Sequence, residues 1–254
     1  MGSAAALSAA LLLCGGAPSE AACALIWAGP AHGRSWAERR QELAARNGIA
    51  RLGAPVLFYA PANSAARTCG SILAGSAAVR HRLALIAPTW QRHGSLIAAA
   101  TARHGVPAEL ILAAIVEESG GRANAVAAYP GYVSDAATPS KVSLGLGQML
   151  LSTARTLAPG QRLGRAELFD PAIAIDLVAR YFARFYPATG FDPRLAASSY
   201  NVGSVRTLSA GQRWHPPNPG YVARFVAVFE ASVAHLATQP DRPAASFAAM
   251  FAGD

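Results

Sequence analysis

Beyond residue 93 the apolar positions fall at helical spacing and are punctuated by clear stops and starts, whereas residues 23–92 are weakly patterned. Residues 95–104 make one predicted helix, stopped by Gly105. Pro107 opens a second over 107–119, which Gly120 and Gly121 terminate. The polar stretch 127–142 carries Tyr129, Pro130, Gly131, Tyr132, Asp135 and Pro139 and reads as loop or hairpin. The glycine-rich run Ser143-Leu144-Gly145-Leu146-Gly147-Gln148-Met149 leads into a helix near 151–158. Asp170-Pro171 and Asp192-Pro193 each set a capping aspartate before a proline suited to the first turn, predicting helices at roughly 171–186 and 193–200. A last helix over about 219–237 lines Tyr221, Phe225, Val228 and Phe229 along one apolar face. No internal repeat is present.

The segment before residue 93 offers fewer signals. Residues 3–14 form an apolar run of signal-peptide length, and Ser19-Glu20-Ala21 supplies an A-x-A-like cleavage point, although no Lys or Arg precedes the run. Residues 1–22 are therefore expected to be a signal peptide, which predicts a periplasmic or secreted protein. Leu13 before Cys14 fits a lipoprotein site poorly. Cleavage would leave Cys23 and Cys69, either paired in an oxidising compartment or two buried thiols; pairing would stabilise by about 4 kcal/mol in the chain-entropy model. A charged helix near Ser35–Arg46, capped by Ser35 with Glu38 at the capping-box position, and a short strand at Val56–Tyr59 complete this region. The expected organisation is 1–22 signal peptide, 23–92 a region of unknown role, 93–240 the main helical domain and 241–254 a tail.

Composition narrows the function classes. Apolar residues make up 52% of the 254 and charged residues 14%, so a packed core is feasible and wholesale disorder is excluded. No later stretch reaches the ~18 continuous apolar residues of an integral membrane span. The net charge is +8, and no acid lies between Glu42 and Glu109 while seven arginines do. Such a surface favours anionic partners. The basic segment lacks interleaved aromatics and no nucleic-acid motif occurs, which turns the charge away from DNA or RNA. The six histidines are scattered and no Cys/His spacing suits a metal, so neither metal nor organic cofactor is expected.

One carboxylate stands out. In helix 107–119 the large apolar residues are Leu110, Ile111, Leu112, Ile115 and Val116. At 100° per residue their mean direction lies about 80° from Glu118 and nearly opposite Glu117. Glu117 is thus expected to face solvent and Glu118 to sit on the shoulder of the buried face. Desolvation there, and the negative pole of the helix dipole, both disfavour ionisation. That is the setting a general acid needs near neutral pH.

Glu118-Ser119, then Gly145-Leu146-Gly147-Gln148-Met149, then Leu168-Phe169-Asp170-Pro171, then Ser199-Tyr200-Asn201-Val202-Gly203 occur in order, each at a predicted helix boundary. In these motifs the chain resembles the lytic transglycosylase family, in its soluble-lytic-transglycosylase-like domain. That family shows Glu-Ser at a helix end, Gly-Leu-x-Gln-(Met/Ile/Leu), a Leu/Phe-Asp-Pro helix start and Ala-Tyr-Asn-x-Gly. The resemblance spans about 95–235 and implies a mainly α, lysozyme-like fold of the α+β superfamily. Ser199 stands where the family has Ala, and Gly147 falls at a variable position. The link from Ser119 to the glycine segment is long, which is similar to relatives associated with type IV secretion and would make an envelope-spanning secretion machine a partner.

The resemblance further implies cleavage of the β-1,4 bond between N-acetylmuramic acid and N-acetylglucosamine in peptidoglycan glycan strands, with a 1,6-anhydro product. Glu118 would act as acid and then base, with the substrate's own acetamido group replacing a second carboxylate. Ser119 would hold substrate or acid, and the Tyr200 hydroxyl would reach the catalytic carboxyl. Gly145 and Gly147, flanking Leu146, would admit the glycan close to the backbone. Gln148 would offer its amide to an N-acetyl group or to Glu118, with Met149 beside it, and Asn201 would tie down the loop after its helix. Two rivals remain: a hydrolytic muramidase using Asp135, the only acid between the first two motifs, and a non-catalytic peptidoglycan-binding scaffold.

Overall fold

A computed structural model describes residues 77–189, 191, 193–203 and 218–248. The apolar amino-terminal run, Cys14, the Cys23–Cys69 pairing, helix 35–46, strand 56–59 and Asp192 lie outside the described residues.

Among the described residues the first helices are α1, Ala77–Ala84, and α2, Ile86–His104. Pro88 explains the break between them. It has no N–H to give the carbonyl of residue 84, and its ring crowds that turn. Helix α2 therefore begins nine residues before the expected 95 and runs through residue 93, the expected start of the main domain. It ends where predicted, at Gly105 in the left-handed region (φ 66°). Helix α3, Ala108–Ser119, follows and stops at Gly120 (φ 63°).

The 127–142 stretch is a hairpin with a folded tip. Strand β1, Val126–Ala128, pairs antiparallel with β2, Val142–Leu144, which pairs with β3, Met149–Leu150. A 3-10 turn at Pro139–Lys141 leads into β2. Four helices follow: α4 Leu151–Leu157, α5 Arg165–Phe169, α6 Pro171–Thr189 and α7 Pro193–Val202. Asp170 caps α6 as its sequence predicts, its carboxylate accepting the Ala172 N–H at 2.7 Å. Helix α8, Pro219–Ala237, is capped by Asn218, whose side-chain oxygen accepts the Tyr221 N–H at 3.2 Å.

Helix α3 forms the axis of the core. It packs against α8, α2, α6 and α7, and every residue from Ala108 to Glu117 is buried. A helix buried on all sides belongs at a centre rather than a surface. The chain after α8 closes over its first turn: the Glu109 carboxylate accepts the N–H groups of Phe247 and Ala248 at 3.0 and 2.9 Å. Residues expected to be a tail thus contribute Phe247, packed edge-on against Phe229. The fold is mainly α with one small sheet, as the lysozyme-like expectation requires. Among the described residues no helix is long and apolar enough to cross a membrane.

Candidate active site

The last turn of α3 carries two adjacent carboxylates in different settings. The Glu118 carboxyl accepts a hydrogen bond from the Tyr221 hydroxyl of α8 at 2.5 Å. Burial, its largest influence, pushes the Glu118 carboxyl up to about 7; the Tyr221 hydrogen bond, Arg82 and Arg224 oppose this and the Glu117 charge adds to it. The shift expected from sequence is therefore present.

Glu117 does not face solvent. Its side chain is 2% exposed and lies between two arginines: Arg224 Nε donates to Oε1 at 2.9 Å, and Arg82 Nε forms an ion pair with Oε2 at 2.5 Å. The large apolar side chains alone define too narrow a buried face for α3. Ala108, Ala113 and Ala114, fully buried, seal the remaining faces of α3, and on the Glu117 side α8 and Arg82 of α1 stand where solvent is expected.

The Tyr200 expectation is corrected in its partner. Its hydroxyl donates to the Gly147 carbonyl at 2.7 Å, and the direct bond to Glu118 comes from Tyr221 instead. Tyr200 lies close enough that the Glu118 charge, added to burial, raises its phenol well above the usual range. Its ring packs against Tyr181 and Phe182. Tyr221 reads from sequence as one more apolar position on the last helix; only its polar tip distinguished it from Phe225.

The glycine segment is packed inward. Gly145, with φ 73°, sits so that a Cβ would lie 1.9 Å from the Leu168 carbonyl oxygen. A Cβ on Gly147 would fall 2.4 Å from Val178 and 2.6 Å from the Tyr200 hydroxyl. Both glycines make room for the protein's own atoms, and Leu146 and Met149 between and beyond them are buried core. Gln148 takes φ 42°, and its amide nitrogen donates to the Ala125 and Gly145 carbonyls, each at 3.0 Å. These bonds fix the side chain and leave Oε1 as an acceptor.

Ser119 is buried, with its hydroxyl bonded back to the Ile115 carbonyl at 3.1 Å. Asn201 accepts from Asn218 at 3.4 Å, joining the residues on either side of 204–217. Asp135 is engaged at both oxygens by Arg165, at 3.0 and 2.8 Å, and accepts the Tyr132 hydroxyl at 2.8 Å. The Arg165 hydrogen bonds hold its carboxyl below the usual range. A separate cavity of about 560 Å³, lined by Arg92, His93, Leu96, Arg122 and Pro171 among others, includes none of the expected site residues. Among the described residues no group of His, Cys, Asp and Glu side chains could hold a metal ion.

Residues 95–215 match the family model described as Transglycosylase SLT domain. No curated protein and no solved structure matches the chain. A mainly helical fold carrying Glu-Ser at the end of its central helix, a buried Gly-Leu-Gly turn before Gln148 and a Tyr-Asn helix end agrees with that match. Residues 95–215 thus form a transglycosylase SLT domain, the peptidoglycan-acting domain of the lytic transglycosylase family.

Proposed function

We propose that the protein cleaves the bond between N-acetylmuramic acid and N-acetylglucosamine, with Glu118 as sole catalytic carboxylate. The carrying observation is the Glu118 carboxyl pushed up to about 7, because a carboxyl so tuned is present in both protonation states near neutrality. In the first step protonated Glu118 gives its proton to the glycosidic oxygen. The C1–O bond breaks, and the acetamido oxygen of the muramic residue steadies the developing cation. The muramic C6 hydroxyl then attacks C1 while Glu118, now a carboxylate, takes its proton. The anhydro ring closes, no water is consumed, and Glu118 returns to its starting state.

Tyr221 holds the Glu118 carboxyl in one orientation and stabilises the anion between the two steps. Gln148, its amide nitrogen already committed, offers Oε1 to a substrate N–H. Tyr200, Ser119 and Asn201 support the frame around the acid, and Met149 with the two glycines and Leu146 sets the turn that carries Gln148. The cationic surface suits a polymer whose peptides bear carboxylates. Periplasmic or secreted action, and service to an envelope-spanning machine, belong to this proposal.

A hydrolytic muramidase would need its second carboxylate free, at about 6.5–9.5 Å to activate water or about 5–5.5 Å to attack. Asp135 is tied down by Arg165 of α5 and by Tyr132 of its own loop, which disfavours that role. Mass spectrometry of muropeptides released from purified sacculi tests the reading. Wild type should yield 1,6-anhydromuramoyl ends, Asp135→Asn should retain most turnover, and Glu118→Gln should lose at least ~100-fold. Reducing ends together with an inactive Asp135→Asn would replace the proposal with hydrolysis, and undiminished Glu118→Gln would leave only a binding scaffold.

A further inference from the structure

We propose that the Arg82–Glu117–Arg224 bridge is a positioning and charge-balancing element for Glu118, and that helix α1, ahead of the matched domain, is thereby part of the catalytic centre. The inference deepens the reading of Glu118 as the acid and rests on it.

The first support is geometric. Tyr221 and Arg224 are three residues apart on α8 and so share one face about a turn apart. They meet the adjacent residues Glu118 and Glu117 on α3, at 2.5 and 2.9 Å. Two rungs therefore join α3 to α8 at the site. A slide or rotation of α8 that opens the Glu117 rung also withdraws the Tyr221 hydroxyl from Glu118. Arg82 grips the other Glu117 oxygen, so the carboxylate is held from α1 and α8 together.

The second support is cost. A carboxylate 2% exposed at the negative end of a helix is expensive to ionise, and burying an ion pair is often no better than packing an apolar residue. Replacing the whole Arg82–Glu117–Arg224 triad by apolar side chains would cost stability little. A charged triad set beside the acid therefore acts through its field and its hold on α8 more than through stability.

The third support is charge balance. The groups acting on Glu118 are Glu117 on its own helix, Arg82 from α1, and Tyr221 and Arg224 from α8, while Tyr200 of α7 lies near enough to feel its charge. On α2 and α6, Asp176 holds Arg103, His104 and Arg180, Arg92 and Arg184 are exposed, and burial lowers the pKa of His93. The two guanidiniums favour the ionised acid, and Glu117 opposes them. With Glu117 in place the cations are spent on a neighbour; without it they face Glu118 alone and hold it as a carboxylate at neutral pH, where it cannot donate a proton.

The test is the pH profile of kcat/KM for release of anhydro-muropeptides from sacculi by the full chain. Wild type should lose activity on a basic limb near pH 7, reporting loss of the acid. Glu117→Gln should move that limb down by about one unit, and Arg82→Gln should move it up by a similar amount. Arg82 sits on a peripheral helix and is partly exposed, so its variant keeps the test alive if Glu117→Gln fails to fold. Losses that are equal at every pH, with limbs unmoved in a folded variant, would overturn the inference and leave the function reading intact. Absence of anhydro products from wild type would instead remove that reading itself.

Discussion

At the scale of the residue, the account turns on what surrounds Glu118. Its place on the last turn of α3 was legible from helical spacing, and so was the upward shift of its carboxyl. Its neighbour was not. A wheel built from Leu110, Ile111, Leu112, Ile115 and Val116 has one apolar face, but alanines let other helices approach on the remaining faces, and Glu117 is enclosed by Arg82 and Arg224. Tyr221 was hidden for a different reason: spacing shows that a ring is buried, not where its hydroxyl goes. That hydroxyl supports the ionised form of Glu118, and a hydrogen bond to a charged group contributes about 1.5–3 kcal/mol. Tyr221→Phe should therefore raise the Glu118 pKa by about one unit or more. The basic limb of kcat/KM should move to higher pH, with turnover reduced because the anion between the steps is less well held. A pH–rate profile that keeps its limb would show the hydrogen bond to be idle.

At the scale of the element, boundaries were readable wherever a residue punctuates the backbone. Gly105, Gly120 and Asp170-Pro171 each mark a helix end that the structure reproduces. The start of α2 was obscured by Pro88 and Gly94. Proline is tolerated in a first turn, and Gly94 lies beneath Trp90, where a Cβ would come 3.0 Å from the ring. The short α5 escaped because five residues carry little periodicity; it is held by Glu167, which accepts the Gly164 N–H at 2.8 Å. The turn between β2 and β3 was recognisable as glycine-rich, but the reason for the glycines lies in contacts from α5, α6 and α7 that are distant in sequence. Gly145→Ala should be severely destabilising. A left-handed conformation costs about 1–2 kcal/mol for an L-residue, and overlap with the Leu168 carbonyl adds about 1–3 kcal/mol. The midpoint of thermal unfolding should fall by at least about 5 °C, and a shift under 1 °C in a scanning melt would contradict the packing described.

At the scale of the whole molecule, family and class were legible because four motifs stand in one order, each at a helix boundary. The long-range closure by Glu109 and residues 247–248 was not legible, since nothing in local pattern links positions so far apart. The charge of +8 belongs to this scale too. If cationic surface draws the protein to an anionic wall polymer, binding must weaken as salt shortens the range of the field, from ~10 Å at 0.1 M to ~3 Å at 1 M. Co-sedimentation of Glu118→Gln with sacculi should fall several-fold between 0.05 and 0.5 M NaCl. Retention unchanged by salt would assign recognition to neutral sugar contacts alone.

The central claim is that the carboxyl of Glu118 keeps its proton near neutrality because α3 ends inside the protein. Carboxyl-carbon NMR titration of the folded chain tests this directly, with Glu118→Gln identifying the resonance by its absence. The account predicts a midpoint near pH 7 for that signal. A midpoint near 4.5, that of an unperturbed glutamate, would contradict it.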